Sequence, residues 1–161
     1  MRLVRFTAAS TAVLCASMLL AGCNWFGGHK SSTKSVSVFD VKPGQCFVGP
    51  KDVKSELSKL TEAPCGKEHT QESYAIVGFT AADGSTPSAF PGEDVLTKFA
   101  QGACAQHFRA YVGVDYLDSK LYFTYLLPSA RGWEQDDDRN VLCFVTTTGA
   151  TLTSSVKNSK K

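Results

Sequence analysis

Apolar and polar positions change rhythm several times along this chain. Residues 6–20, FTAASTAVLCASMLL, form an uncharged run of 15 residues behind Arg2 and Arg5. A helix crossing the bilayer core needs about 20, so the run predicts an export signal rather than a membrane span. Further on the alternation is short. Residues 36–39 (VSVF) predict a first strand, Lys42-Pro43-Gly44 a turn, and 45–48 (QCFV) a short extended piece. Residues 50–63 fit a short amphipathic helix or a polar strand equally. Residues 73–80 (SYAIVGFT) predict a strand, and 81–92 a long loop of turn residues.

From Glu93 the period becomes helical. Leu96, Phe99 or Ala100, Ala103, His107 and Tyr111 recur at three- and four-residue spacing, with Val95, Cys104 and Phe108 widening the face. Pro91-Gly92 opens the helix, Glu93 and Asp94 suit its positive end, and Gly113 ends it. Residues 121–126 and 140–146 predict two more strands, joined by a polar loop (PSARGWEQDDDR) expected to be exposed. Residues 150–161 read as a polar C-terminal tail, one more strand fraying into disorder. The sum is a small α+β domain, with a mostly antiparallel sheet and one main helix over about 93–112.

The end of the leader narrows its meaning. Leu20-Ala21-Gly22-Cys23 resembles a bacterial lipobox, in which small residues give a peptidase access and the cysteine thiol forms a thioether with diacylglycerol. Residues 1–22 are thus expected as a lipoprotein signal peptide and Cys23 as the lipidated first mature residue. Two fatty acyl chains of the palmitate class, at about 0.8 kcal/mol per buried methylene, hold where one would hold only marginally. Trp25 and Phe26 suit the headgroup level, and residues 23–35, including His29, a flexible tether. The domain proper is expected over 36–149.

Removing the leader changes the charge. The chain carries 17 basic and 15 acidic residues; without Arg2 and Arg5 the two counts are equal. Nothing in this balance points to nucleic acid. Cys15 leaves with the leader and Cys23 is taken by the lipid, so four cysteines remain downstream: Cys46, Cys65, Cys104 and Cys143. An even set in an exported chain predicts two disulfides, and of three pairings Cys46–Cys65 with Cys104–Cys143 staples each half separately. No C-x-x-C occurs, so neither a dithiol redox site nor a zinc knuckle is expected.

Candidate chemistry is thin. Cys65, His69 and Glu72 lie close in sequence, as a nucleophile, base and orienting acid would, but Cys65 is needed as a disulfide partner. His69 is better read as bonding a turn beside that disulfide, and His107 as a core or boundary residue of the helix. Asp136-Asp137-Asp138 lacks the alternating ligands of a calcium loop. No phosphate loop or nucleophile elbow is present. No cofactor, no metal and no enzyme is expected.

Several pieces, taken in order, resemble the septum formation domain family, small exported or membrane-anchored domains of actinobacteria. They are Val41-Lys42-Pro43-Gly44-Gln45-Cys46-Phe47; Pro64-Cys65 with His69 and Glu72; Phe90-Pro91-Gly92; Cys104, Phe108 and Tyr111; then Pro128, Trp133, Asp138-Arg139 and Cys143. The likeness covers residues 38–148, with Gln45 where an acid is usual and Asp137 where a glycine often stands. It implies an extracytoplasmic protein of cell division or the envelope, and marks His69, Glu72, Trp133 and Arg139 as structural or binding positions. The expectation is a lipid-anchored module on the outer face of the cell membrane that binds an envelope protein or a cell-wall component. A hydrolase using His69 and Glu72, or a small-molecule-binding lipoprotein, are the alternatives.

Overall fold

The computed structural model describes residues 34–49 and 57–161. The expected leader and lipobox, with Cys15, Cys23, Trp25, Phe26, His29 and the ambiguous start of 50–63, lie outside the described residues. Among the described residues six strands form one antiparallel sheet: β1 (Lys34–Ser37), β2 (Cys46–Val48), β3 (Lys59–Ala63), β4 (Gln71–Gly78), β5 (Tyr122–Leu126) and β6 (Asn140–Thr146). Their order across the sheet is β1-β3-β2-β4-β6-β5. The main helix α1 (Glu93–Val112) lies against β4, β5 and β6, and a short helix α2 (Ala130–Gln135) follows β5. The fold is α+β, with disulfides Cys46–Cys65 and Cys104–Cys143. Among the described residues no helix is long and apolar enough to cross a membrane.

The helix forms where the period requires it. Leu96, Ala100, Cys104, Phe108 and Tyr111 are its buried stripe, and Gly113 ends it in the left-handed conformation, its N–H bonded to Arg109 O. The stripe is narrower than the sequence reading: Val95 and His107 face solvent. β6 is apolar at nearly every position because both its faces are covered. Val141, Cys143 and Val145 meet α1, whereas Leu142 and Phe144 join Val36, Val41, Phe47 and Leu60 on the opposite face.

Three local readings change. The first strand starts earlier, at Lys34 inside the expected tether, because Lys34 and Ser35 pair with Glu62 and Thr61; after Ser37 the chain turns into a 3-10 helix. The segment 128–139 is not an exposed loop, since it contains α2 and the fully buried Trp133. The tail does not fray. Leu152 and Val156 are buried in the main core, and Leu152 pairs with His69 through reciprocal backbone bonds of 2.9 and 2.8 Å. Asn158 and Lys160 then donate their N–H groups to Tyr111 O and Val112 O, carbonyls left without partners at the end of α1. Two apolar residues among serines, threonines and lysines suffice to dock the tail once helix carbonyls await donors.

Candidate functional site

Cys46 and Glu72 stand opposite each other where β2 meets β4, and this register gathers the polar residues that motif reading singled out. Glu72 is wholly buried. One carboxylate oxygen accepts the hydroxyls of Tyr111 and Ser155 (the latter at 2.6 Å), and the other accepts Val156 N–H at 2.8 Å. Burial, reinforced by the bond to Glu72 and its charge, pushes the Tyr111 phenol well above its ordinary range. Tyr74, whose hydroxyl donates to Cys104 O at 2.7 Å, is raised by burial alone.

His69 is 1% exposed, and its Nδ1 lies 2.7 Å from Lys67 O. A carbonyl only accepts, so Nδ1 is the donor of this bond, and Nε2 is the ring nitrogen left over. That nitrogen is buried without a hydrogen-bond partner among the described residues. Ligand atoms of Cys46, His69 and Glu72 lie within 4.8 Å of one another, but the Cys46 sulfur is bonded to Cys65 and offers no thiolate. The structure does bring His69 and Glu72 together. It also closes them off from substrate, and uses both Glu72 oxygens to join β4, α1 and the C-terminal segment.

Trp133 and Arg139 form a second joint. Ser129 Oγ accepts from Gly132 N–H at 2.9 Å and caps α2. The Trp133 indole N–H donates to Ser88 O at 2.9 Å, and its ring meets the edges of Phe79 and Phe90. The Arg139 guanidinium sits 4.0 Å over that ring, donates to Trp133 O at 2.6 Å, and pairs with Asp137 at 3.0 Å. Asp137 takes the left-handed conformation (φ 53°), which turns the chain from α2 into β6. Asp138 accepts from Asn140 N–H at 3.0 Å, and burial raises its carboxyl above the usual range.

Between this joint and the first 3-10 turn lies a groove of about 730 Å³ that motif reading missed. Ile76, Leu142 and Leu126 form its floor as one cross-strand row on β4, β6 and β5. Val41 and Leu57 continue the floor, and Phe39 (57% exposed) stands at one wall. Glu93, Asp136, Asp137 and Asp138 line the other side. A β-bulge at Tyr74 places Ile76 there. β4 pairs Ser73 with Phe144 but Ala75 with Cys143, so Tyr74 and Ala75 both face α1 and Ile76 turns to the groove. The available signal was the unbroken apolar run of β6, which requires a second covered face.

No curated protein and no solved structure matches the chain. A sequence model described as septum formation matches residues 43–161, taking in all four disulfide cysteines, the Glu72 joint, the Trp133 joint and the docked C-terminal segment. By that match the chain belongs to the septum formation family.

Proposed function

We propose that this chain is a lipid-anchored extracytoplasmic module of the division or envelope machinery that binds a partner protein through the groove on β4, β6 and β5. The groove carries this reading. It joins an apolar floor, an exposed aromatic wall and an acidic side on one surface, features of a protein contact rather than of a closed ligand cavity. Membership of the septum formation family supports the setting in division or the envelope. The leader and its Leu20-Ala21-Gly22-Cys23 ending support the anchor. The burial of His69 and Glu72 speaks against the hydrolase alternative, because neither group can reach a substrate bond.

Two measurements test the parts separately. Mass spectrometry of the mature N-terminus is expected to find a diacylglyceryl-modified Cys23, and an unmodified residue upstream of Cys23 overturns the anchor. A tagged chain is expected at the septum or in envelope complexes, and Ile76→Lys, which places a charge on the groove floor, is expected to disperse it without lowering thermal stability. Unchanged positioning of that variant overturns the groove. His69→Ala is expected to lower stability only; loss of a hydrolytic activity with the fold intact would restore the enzyme reading.

A further inference from the structure

Resting on that reading of the groove, we propose its occupant: an extended segment of a partner protein in which one or two large apolar side chains are followed by Lys or Arg.

The floor sets the apolar part. Ile76, Leu142 and Leu126 lie in register on three neighbouring strands, so the row spans about 10 Å, two inter-strand spacings. A row of that length accommodates anchors two residues apart in an extended chain, which rises about 3.3 Å per residue. Ile76 and Phe39 remain exposed to water in the free domain, and their burial supplies the drive for association.

The acidic side sets the charged part. Asp137 has Arg139 as a partner, but that guanidinium is turned onto Trp133, while the Asp137 side chain is 92% exposed to the groove and solvent. Asp136 and Glu93 add two further carboxylates on the same side. Asp138 is half-buried there, and a guest cation offsets the desolvation of its charge. A cationic guest is therefore complementary. An anionic lipid surface is repelled by the same groups. Spacing follows from the chain itself: Asp138 stands four residues before Leu142, at most about 13 Å away along an extended backbone. The guest's cation accordingly sits three or four residues from its apolar anchor.

The test uses the whole mature chain in detergent and fluorescein-labelled extended peptides followed by anisotropy. The probe carries two leucines two residues apart, then lysines three and four residues beyond; control peptides replace the lysines with glutamine, or move them next to the leucines. The lysine probe is expected to bind at least about tenfold tighter than the glutamine peptide. That preference is expected to shrink as salt rises and to vanish in Asp136→Lys, with the displaced-lysine peptide weaker than the probe. Ile76→Lys is expected to lose both peptides. Thermal melts of the variants confirm that they fold.

Equal binding of the lysine and glutamine peptides, both lost in Ile76→Lys, overturns the cationic occupant and leaves the groove reading standing. No binding of the lysine probe overturns the occupant as well, and the positioning of Ile76→Lys then decides the groove reading independently. Binding of anionic vesicles, or concentration-dependent dimerisation, that is abolished by Ile76→Lys assigns the groove to a membrane or to a second copy, and overturns the proposal.

Discussion

At Glu72, donors from α1 and from the C-terminal segment converge on one buried carboxylate. Hydrogen bonds to a charged acceptor contribute about 1.5–3 kcal/mol each, and buried donors left without a partner cost about as much. Glu72→Ala is therefore expected to destabilise the domain by at least about 3 kcal/mol, read from the denaturant midpoint. An unchanged midpoint would show that the carboxylate is dispensable. The same burial gives a pH dependence. Tyr74 and Tyr111 hold folded-state pKa values above the ordinary phenol value of about 10. A raised value means the unfolded chain releases these protons first, so stability is intact below about pH 10 and falls as pH rises beyond it. The phenolate absorbance of Tyr74 and Tyr111, isolated by subtracting the titrations of Tyr74→Phe and Tyr111→Phe, is expected to grow together with loss of circular dichroism, not before it. The positions of His69 and Glu72 were legible from their place after Pro64-Cys65. Their partners were not, because Tyr111 and Ser155 lie 39 and 83 residues further along the chain. His107 was misplaced for a simpler reason: spacing gave the helix face to within one position, and one position turns a side chain into solvent.

Among the elements, the main helix was readable to its last residue because Pro91-Gly92 and Gly113 mark both ends. The strands were readable where they alternate. What escaped was α2, too short to establish a period, and the C-terminal segment, whose two apolar residues are diluted by polar neighbours. The C-terminal segment is held by Leu152, Val156 and its backbone bonds, and α2 by a single anchor rather than by a face. In α2 the anchor is Trp133, packed against Phe79 and Phe90 and roofed by Arg139. Trp133→Ala is expected to cost about 3–5 kcal/mol, measured by guanidinium unfolding. It should also loosen 130–138, seen as faster amide exchange there than in β4. Equal protection in both segments would mean that α2 holds without its tryptophan.

For the molecule as a whole, the even set of cysteines downstream of Cys23 made the two disulfides legible before any strand order was known. The order itself, with β2 between β3 and β4, was not legible, since it depends on pairings across turns of no fixed length. The bridges enclose 19 and 39 residues of separation and contribute about 3 and about 4 kcal/mol by loop entropy. They differ in access. Cys65 is half-exposed, whereas Cys104 and Cys143 are wholly buried. Mild dithiol treatment followed by alkylation and mass spectrometry is expected to label Cys46 and Cys65 first. Simultaneous labelling of all four would indicate that the domain opens globally before either bridge is reduced.

The same two bridges decide how the domain responds to mechanical load. When the chain is pulled from its two ends, residues 47–64 and 105–142 lie inside covalent loops and cannot lengthen. Of the described residues, only 34–46, 65–104 and 143–161 can pay out under tension. β3, β5, α2 and the acidic stretch 136–138 sit within the bypassed loops. Force entering through the amino-terminal end thus travels past one wall of the groove along two sulfur–sulfur bonds, and leaves that wall slack.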